Sequence, residues 1–202
     1  MSGIFGADVS TAVSVAQWQA LRSEDSVSFG LVRCHKSNGR VDTRAPDTVK
    51  NGWLAQLERV DVYHFPRRAV DAAIQVKNAV SALRAAKATF GAYWFDVETG
   101  AGWSTSDHTA NAAFLARLVQ AAEALGLTVG IYTSRFEWST VMGAGCEQFA
   151  SYPLWYAAYQ TPPNASFSDF RPFGGWKQPS LKQFVGNKTC HGVGYDGNWC
   201  PA

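Results

Sequence analysis

The chain has 202 residues, 47% hydrophobic, 13% aromatic and 17% charged, with 18 glycines and eight tryptophans; this excludes disorder, a coiled coil and a low-complexity protein, and the length suits one domain of roughly 200 residues or two of ~100. Eighteen basic residues against sixteen acidic ones give a net charge of +2, and no basic run exceeds the pair Arg67 and Arg68, which excludes a dedicated nucleic-acid binder and leaves an ordinary solvated surface or one suited to an acidic substrate. No apolar run reaches the ~18 to 20 residues that span a bilayer, and the start, Met-Ser-Gly-Ile-Phe-Gly-Ala-Asp, has neither the basic nor the apolar region of a signal peptide, so a soluble chain without membrane insertion is expected, leaderless or mature.

Strand-like and helical segments alternate along the chain. Ile4 to Val9 reads as a strand, Val15 to Leu21 as a short helix and Val27 to Arg33 as a second strand. Asp47 is expected to cap a helix through Glu58, followed by a β-branched strand from Val60 to Phe65 that Pro66 stops. Val70, Ile74, Val76, Val80, Leu83 and Ala86 recur at helical spacing and predict a helix over Ala69 to Ala88, after which Ala92 to Glu98 forms the fourth strand. Thr109 to Leu125 is a second long amphipathic helix, with Gly126 placed to end it, and Leu127 to Thr133 is the fifth strand.

The rhythm then changes. A less regular helical stretch within Arg135 to Ala150 leads to a sixth strand, Pro153 to Tyr159, and then to a loop from Gln160 to Ser180 rich in Pro, Gly, Ser and aromatics. Leu181 to Val185 and Val193 to Asn198 complete eight strand candidates, the last three joined without convincing helices. The expected fold is α/β: one irregular TIM-like barrel domain over residues 1–202.

The four cysteines, Cys34, Cys146, Cys190 and Cys200, form no CxxC pair and have no metal-ligand spacing to His35, His64, His108 or His191. A Cys190 to Cys200 bridge requires the intervening segment to turn, and the pairing stays open, with an oxidising compartment and buried free thiols both in play. Asn164-Ala-Ser166 and Asn187-Lys-Thr189 are sequons that carry meaning only in a secreted protein.

The sharpest constellation is Trp94-Phe-Asp96-Val-Glu98-Thr-Gly100. Residues two apart on a strand point the same way, with Cα atoms ~6.6 Å apart, so Asp96 and Glu98 present paired carboxylates followed by a glycine turn. At the C-terminal end of a barrel strand, burial and mutual repulsion hold a proton on such a pair near neutral pH, the requirement for acid/base work. A solvated strand end carrying two acids is the plainer alternative, which the flanking Tyr93, Trp94 and Phe95 disfavour.

Asp8 and Asp196 end two further strand candidates, the first and the eighth, which are neighbours in a closed barrel, so four acids can share one cavity; taken singly, each reads equally as a turn-capping Asp. Of Tyr63 and His64, one faces in and the other out, and an inward Tyr63 would offer a hydroxyl donor. Gly192-Val-Gly-Tyr-Asp-Gly197 matches a dinucleotide fingerprint in form, but too little chain follows it for a βαβ unit. Cys34-His35 reads as a structural thiol beside a histidine on the opposite face.

Seven motifs in order, Gly-Ala-Asp8-Val-Ser, Asp61-Val-Tyr63-His-Phe-Pro66, Trp94-Phe-Asp96-Val-Glu98, Gly130-Ile-Tyr132-Thr-Ser134, Leu154-Trp155-Tyr-Ala157-Ala-Tyr159, Lys182-Gln183-Phe-Val-Gly186 and Asp196-Gly-Asn198, span nearly the whole chain. The sequence resembles the glycoside hydrolase family 25 lysozymes, the Chalaropsis-type N-acetylmuramidases, and their eukaryotic members above all. The resemblance implies a barrel of five βα units and three closing strands, and cleavage of the β-1,4 bond between N-acetylmuramic acid and N-acetylglucosamine in bacterial peptidoglycan. It implies net retention of configuration, no metal and no organic cofactor. Glu98 would be the general acid/base and Asp96 the nucleophile or the group orienting the substrate's 2-acetamido group, with Asp8 and Asp196 lining the pocket and tuning its charge. Tyr63, Trp155, Tyr159, Tyr132 and Trp94 would contact substrate, core packing being the competing role for the aromatics.

A monomer acting on peptidoglycan glycan strands, with no nucleic-acid partner, is expected in a secreted, phagosomal or lysosomal setting. Two alternatives remain: a chitin or N-acetylglucosaminide hydrolase, which lacks support because the longer acidic run of family 18 chitinases is missing where Gly91 and Trp94 stand, and a wall-binding lectin on an inactive barrel, which the presence of all four acids disfavours.

Overall fold

The computed structural model describes residues 3–100 and 102–202. Eight strands close one barrel in sequence order: β1 (Gly3–Val9), β2 (Val27–His35), β3 (Arg59–His64), β4 (Ala92–Asp96), β5 (Thr128–Thr133), β6 (Leu154–Ala157), β7 (Leu181–Cys190) and β8 (Val193–Pro201). Outside them lie α1 (Val15–Glu24), α2 (Ala45–Leu54), α3 (Ala72–Ala85), α4 (His108–Glu123) and α5 (Arg135–Val141). Each of β1 to β5 is followed by a helix, and β1 to β7 pair in parallel. With no crossover helix between them, β7 and β8 form an antiparallel hairpin, and β8 also pairs antiparallel with β1 to close the barrel.

Several boundaries differ from the sequence expectation for local reasons. Asp47 is not a cap: α2 begins at Ala45 with Pro46 in its first turn, and Asp47 pairs with Lys50 at 2.8 Å inside the helix. It ends at Leu54, since Gln56 turns to φ +62 and the Leu57 N–H donates back to the Gly52 carbonyl at 3.1 Å. Helix α3 starts only at Ala72, where the Asp71 carboxylate accepts from the Ile74 N–H at 2.9 Å, so Val70 precedes it. Pairing in β4 stops at Asp96, leaving Glu98 just beyond the strand end. The hairpin is longer than alternation predicts: after register shifts between Gln183 and Lys188, with Asn187 at φ +57, the ladder resumes from Lys188 opposite Tyr195 to Cys190 opposite Val193.

Strand alternation sorts side chains onto two surfaces. Outward residues such as Val32, Val62, Tyr93, Phe95 and Ile131 pack under the helices. Inward residues, among them Phe29, Leu31, Trp94, Tyr132, Trp155 and Leu181, fill the barrel. Glycine makes room for the larger rings: a Cβ on Gly130 would lie 2.3 Å from the Trp94 ring, and one on Gly6 2.2 Å from the Phe29 ring.

All four cysteines are free. Cys190 sits opposite Val193 and Cys200 opposite Ile4; the seven residue steps along β8 from Val193 to Cys200 span ~23 Å, far beyond the ~7 Å between Cα atoms that a disulfide tolerates. Among the described residues no helix is long and apolar enough to cross a membrane.

Candidate active site

The C-terminal ends of the parallel strands surround a cavity of about 260 Å³ lined by Asp8, Tyr63, Asp96, Glu98, Tyr132, Trp155, Tyr159, Gln183 and Asp196, with Ser10, Arg33 and Phe65. The four acids singled out in the sequence therefore meet in one place. Asp8 and Asp196 are direct cross-strand partners of β1 and β8, which brings together residues from opposite ends of the chain. A groove of about 370 Å³ shares Asp8, Ser10, Tyr63 and Asp196 with this cavity and runs along the hairpin past Asn187, Lys188 and Thr189.

Asp96 and Glu98 occupy successive inward positions, separated by the outward-facing, fully buried Val97. Asp96 is only 4% exposed, and its Oδ1 is buried without a hydrogen-bond partner. Burial pushes its carboxyl well above the usual range, reinforced by the negative charges of Glu98, Asp8 and Glu137. Glu98 is half-buried and, among the described residues, accepts no hydrogen bond; burial raises its pKa to about 7, helped by Glu137 and Asp196. The Glu98 charge thus opposes ionisation of Asp96 beside it.

Asp8 is also pushed to about 7, by burial first and by Asp196 second, although its Oδ2 accepts from Asn198 Nδ2 at 2.7 Å and Gln183 Nε2 at 2.8 Å. Asp196 is held by the Asn187 backbone N–H, which donates to Oδ1 at 2.7 Å, and by Gln183 Nε2 at 3.2 Å from Oδ2. The Gln183 carbonyl oxygen accepts from the Tyr132 hydroxyl at 2.7 Å and from the Tyr159 hydroxyl. One amide thus ties two acids to two tyrosines. Arg33 is the cation in this wall, its guanidinium engaged by Asp42 at 3.0 Å and by the Ser10 carbonyl at 2.8 Å.

Of the aromatic residues, Tyr63 faces the cavity, and burial together with the charge of Asp8 keeps its hydroxyl protonated as a donor. Tyr132 also lines the cavity, while Tyr159 stands at its rim, 56% exposed. Trp155 is 1% exposed and forms the floor, donating from Nε1 to Asn198 Oδ1 at 2.8 Å and meeting Tyr63, Tyr132 and Trp94 edge-on. Trp94 departs from the expectation of substrate contact. It lies one layer below Asp96 and outside the cavity wall, its Nε1 donating to Asp61 Oδ2 at 3.1 Å.

His64 points outward as a core residue, accepting from the Tyr93 hydroxyl and donating to Gln75 Oε1, and its burial holds its pKa well below the ordinary value. Burial pushes the Cys34 thiol up to about 12, which makes it inert as a nucleophile. Among the described residues no group of three or more His, Cys, Asp or Glu side chains is placed to hold a metal ion.

Four residues of this network carried no sequence-based role: Gln183, Asn198, Arg33 and Glu137. The first two stand inside the quoted motifs, and the inward alternation of Leu181 with Gln183, and of Asp196 with Asn198, was the signal that could have found them.

A family model described as Lysozyme-like protein 1 matches residues 2–184. Probable GH family 25 lysozyme 2 of Dictyostelium discoideum is 38% identical over 202 residues, covering 100% of this chain and 92% of that protein. The chain belongs to the glycoside hydrolase family 25 lysozymes. A second relative in sequence, Lysozyme-like protein 5 of Caenorhabditis elegans, is 35% identical over 201 residues, covering 97% of this chain and 91% of its own length. The family GH25 lysozyme from Aspergillus fumigatus, at 20% identity, shares the fold with a TM-score of 0.77 over 100% of this chain and 95% of that one. Membership makes this barrel a glycoside hydrolase fold with its acids at the strand ends where barrel enzymes work.

Proposed function

We propose that this chain is an endo-acting N-acetylmuramidase that hydrolyses the β-1,4 bond between N-acetylmuramic acid and N-acetylglucosamine in bacterial peptidoglycan, with retention of configuration. The observation that carries the reading is the pair Asp96 and Glu98, side by side at the end of β4 in a cavity shared with Asp8 and Asp196, with Glu98 protonated up to about pH 7 and free of any described protein partner. The groove that adjoins the cavity extends the cleft as a polymeric glycan requires.

Glu98, at the cavity mouth, gives its proton to the glycosidic oxygen as the bond to the anomeric carbon breaks. The carbonyl oxygen of the 2-acetamido group attacks the same carbon, closing an oxazolinium ring, and the Asp96 carboxylate accepts the acetamido N–H. This role suits Asp96 better than direct attack, because its buried carboxylate, opposed by the charges of Glu98, Asp8 and Glu137, gains a countercharge as the positive ring forms. Water then attacks the anomeric carbon, loses its proton to the Glu98 carboxylate and reopens the ring. The second displacement restores the original configuration. Tyr63 donates toward the reacting acetamido or ring oxygen, and Tyr159 at the rim packs on a neighbouring sugar. A bacterial glycan substrate suits a secreted, phagosomal or lysosomal setting, and in an acidic compartment Glu98 keeps its proton.

Borohydride reduction and mass spectrometry of fragments released from purified peptidoglycan test the reading. Fragments ending in reduced N-acetylmuramic acid are expected. Ends carrying reduced N-acetylglucosamine would move the cut to the other bond, and wall binding without fragments would make the barrel a lectin.

A further inference from the structure

We propose that Glu137, on α5, is a positioning residue for the catalytic acid: its carboxylate grips Thr99, the residue that follows Glu98, and so fixes where the Glu98 side chain enters the cavity. The inference rests on Glu98 being that acid, as proposed above.

Glu98 and Thr99 lie beyond the last paired residue of β4, and Gly100 follows at φ +97, so the strand ladder does not hold them. What holds them comes from the next βα unit. The Thr99 backbone N–H donates to Glu137 Oε2 at 2.6 Å, and the Thr99 hydroxyl donates to Oε1 at 3.3 Å. The two oxygens of one carboxylate thus bind the backbone and the side chain of one residue, a geometry that fixes both position and rotation. Glu137 is itself fixed, because the Ser134 hydroxyl caps α5 by accepting from the Glu137 N–H at 3.0 Å. Neighbouring anchors tie the same loop to β5: the Val97 N–H donates to the Tyr132 carbonyl at 2.9 Å, and the Thr133 hydroxyl donates to the Val97 carbonyl at 2.8 Å.

The clamp is anionic, and this distinguishes it from a neutral strut. After burial, the charge of Glu137 acts most on Glu98, ahead of Asp196, and it acts more weakly on Asp96. The other titratable and charged groups facing Glu98 are Asp8 from β1, Arg33 from β2, Tyr63 from β3, Asp96 from β4, Tyr132 from β5, Tyr159 after β6 and Asp196 from β8. Arg33 is the one cation among them, and Asp42 already engages it. A negative clamp therefore adds to a negative cavity and favours the protonated, proton-donating form of Glu98.

The test compares pH profiles of kcat/KM on peptidoglycan for wild type, Glu137→Gln, Glu137→Asp and Glu98→Gln. Glu137→Gln keeps an acceptor for the Thr99 N–H and loses the charge. Its basic limb, set by loss of the Glu98 proton, is expected to move to lower pH by at least half a unit, so activity at pH 7.5 drops several-fold more than at pH 5. Glu137→Asp keeps the charge on a shorter arm; its limb is expected to stay near the wild-type position while kcat falls at every pH.

A Glu137→Gln profile that superimposes on wild type, equal limb shifts in both variants, or a wild-type kcat in Glu137→Asp would overturn the inference. Should Glu137→Gln fold poorly by thermal melt, the Glu137→Asp kcat decides: a wild-type value at every pH overturns the proposal. Full activity in Glu98→Gln would instead remove the assignment of the acid on which the proposal stands, so the two failures are distinguishable.

Discussion

Replacing Asp8 with Asn should stabilise the protein, and more so the higher the pH. The Asp8 carboxyl ionises at about 7 in the folded chain against 3.8 for an ordinary aspartate, because burial and Asp196 oppose its charge more than Asn198 and Gln183 support it. Below the lower value both folded and unfolded chains are protonated and nothing is lost. Between the two values the unfolded chain releases its proton while the folded chain keeps it, so stability falls as pH rises, and the loss is complete above the folded value. At ~1.36 kcal/mol for each pH unit, the separation corresponds to about 4 kcal/mol. Asn keeps an oxygen to accept from Gln183 and Asn198 and has no proton to lose. Urea melts at pH 4, 5.5, 7 and 8.5 should show wild type and Asp8→Asn close together at pH 4 and separated by up to about 4 kcal/mol at pH 8.5, or roughly 8 to 16 °C in Tm for a chain of this size. A gap that does not change with pH, or one that favours wild type at high pH, would refute the claim that the cavity is hostile to charge.

Three further outcomes follow from the packing around the site. Gly130→Ala would set a methyl 2.3 Å from the Trp94 ring and should cost about 1 to 3 kcal/mol in a thermal melt; an unchanged Tm would contradict the layered filling of the barrel. Gln183→Ala removes the shared acceptor of Tyr132 and Tyr159 and one of two described donors to Asp8, so a loss of about 3 kcal/mol in stability is expected, with the Asp8 ionisation moved further up, read by the same urea series. Thiol titration in denaturant without reductant should count four free thiols, with Cys34 the slowest to react in the native protein; a count of two would contradict the free cysteines.

Much of the barrel was legible in the sequence because its parallel strands are short, apolar and separated by amphipathic helices, so one period gave way to another at each boundary. The paired acids were legible for the same reason: Asp96 and Glu98 are two residues apart, and alternation alone puts them on one face. Alternation gives the face but not the height inside a barrel. Trp94 faces inward as Asp96 does, yet two residues earlier on the strand it lies below the cavity, and that depth depends on how the strands stagger around the closed sheet. The length of the hairpin was hidden because the strand pattern of Leu181 to Val185 ends at Gly186, whereas the chain absorbs Asn187 at φ +57 and resumes pairing. Arg33 and Glu137 were invisible because their roles depend on contacts across the fold: Arg33 with Ser10 and Asp42, and Glu137 with Thr99, 38 residues away. No local period encodes such contacts.

The most direct measurement of the central claim is the turnover of purified peptidoglycan by Glu98→Gln beside wild type at pH 5, with matched thermal melts to show that both are folded. Glu98 as the proton donor to the glycosidic oxygen predicts a fall of roughly 10² to 10⁴-fold in kcat with little change in wall binding. Turnover equal to wild type would contradict it.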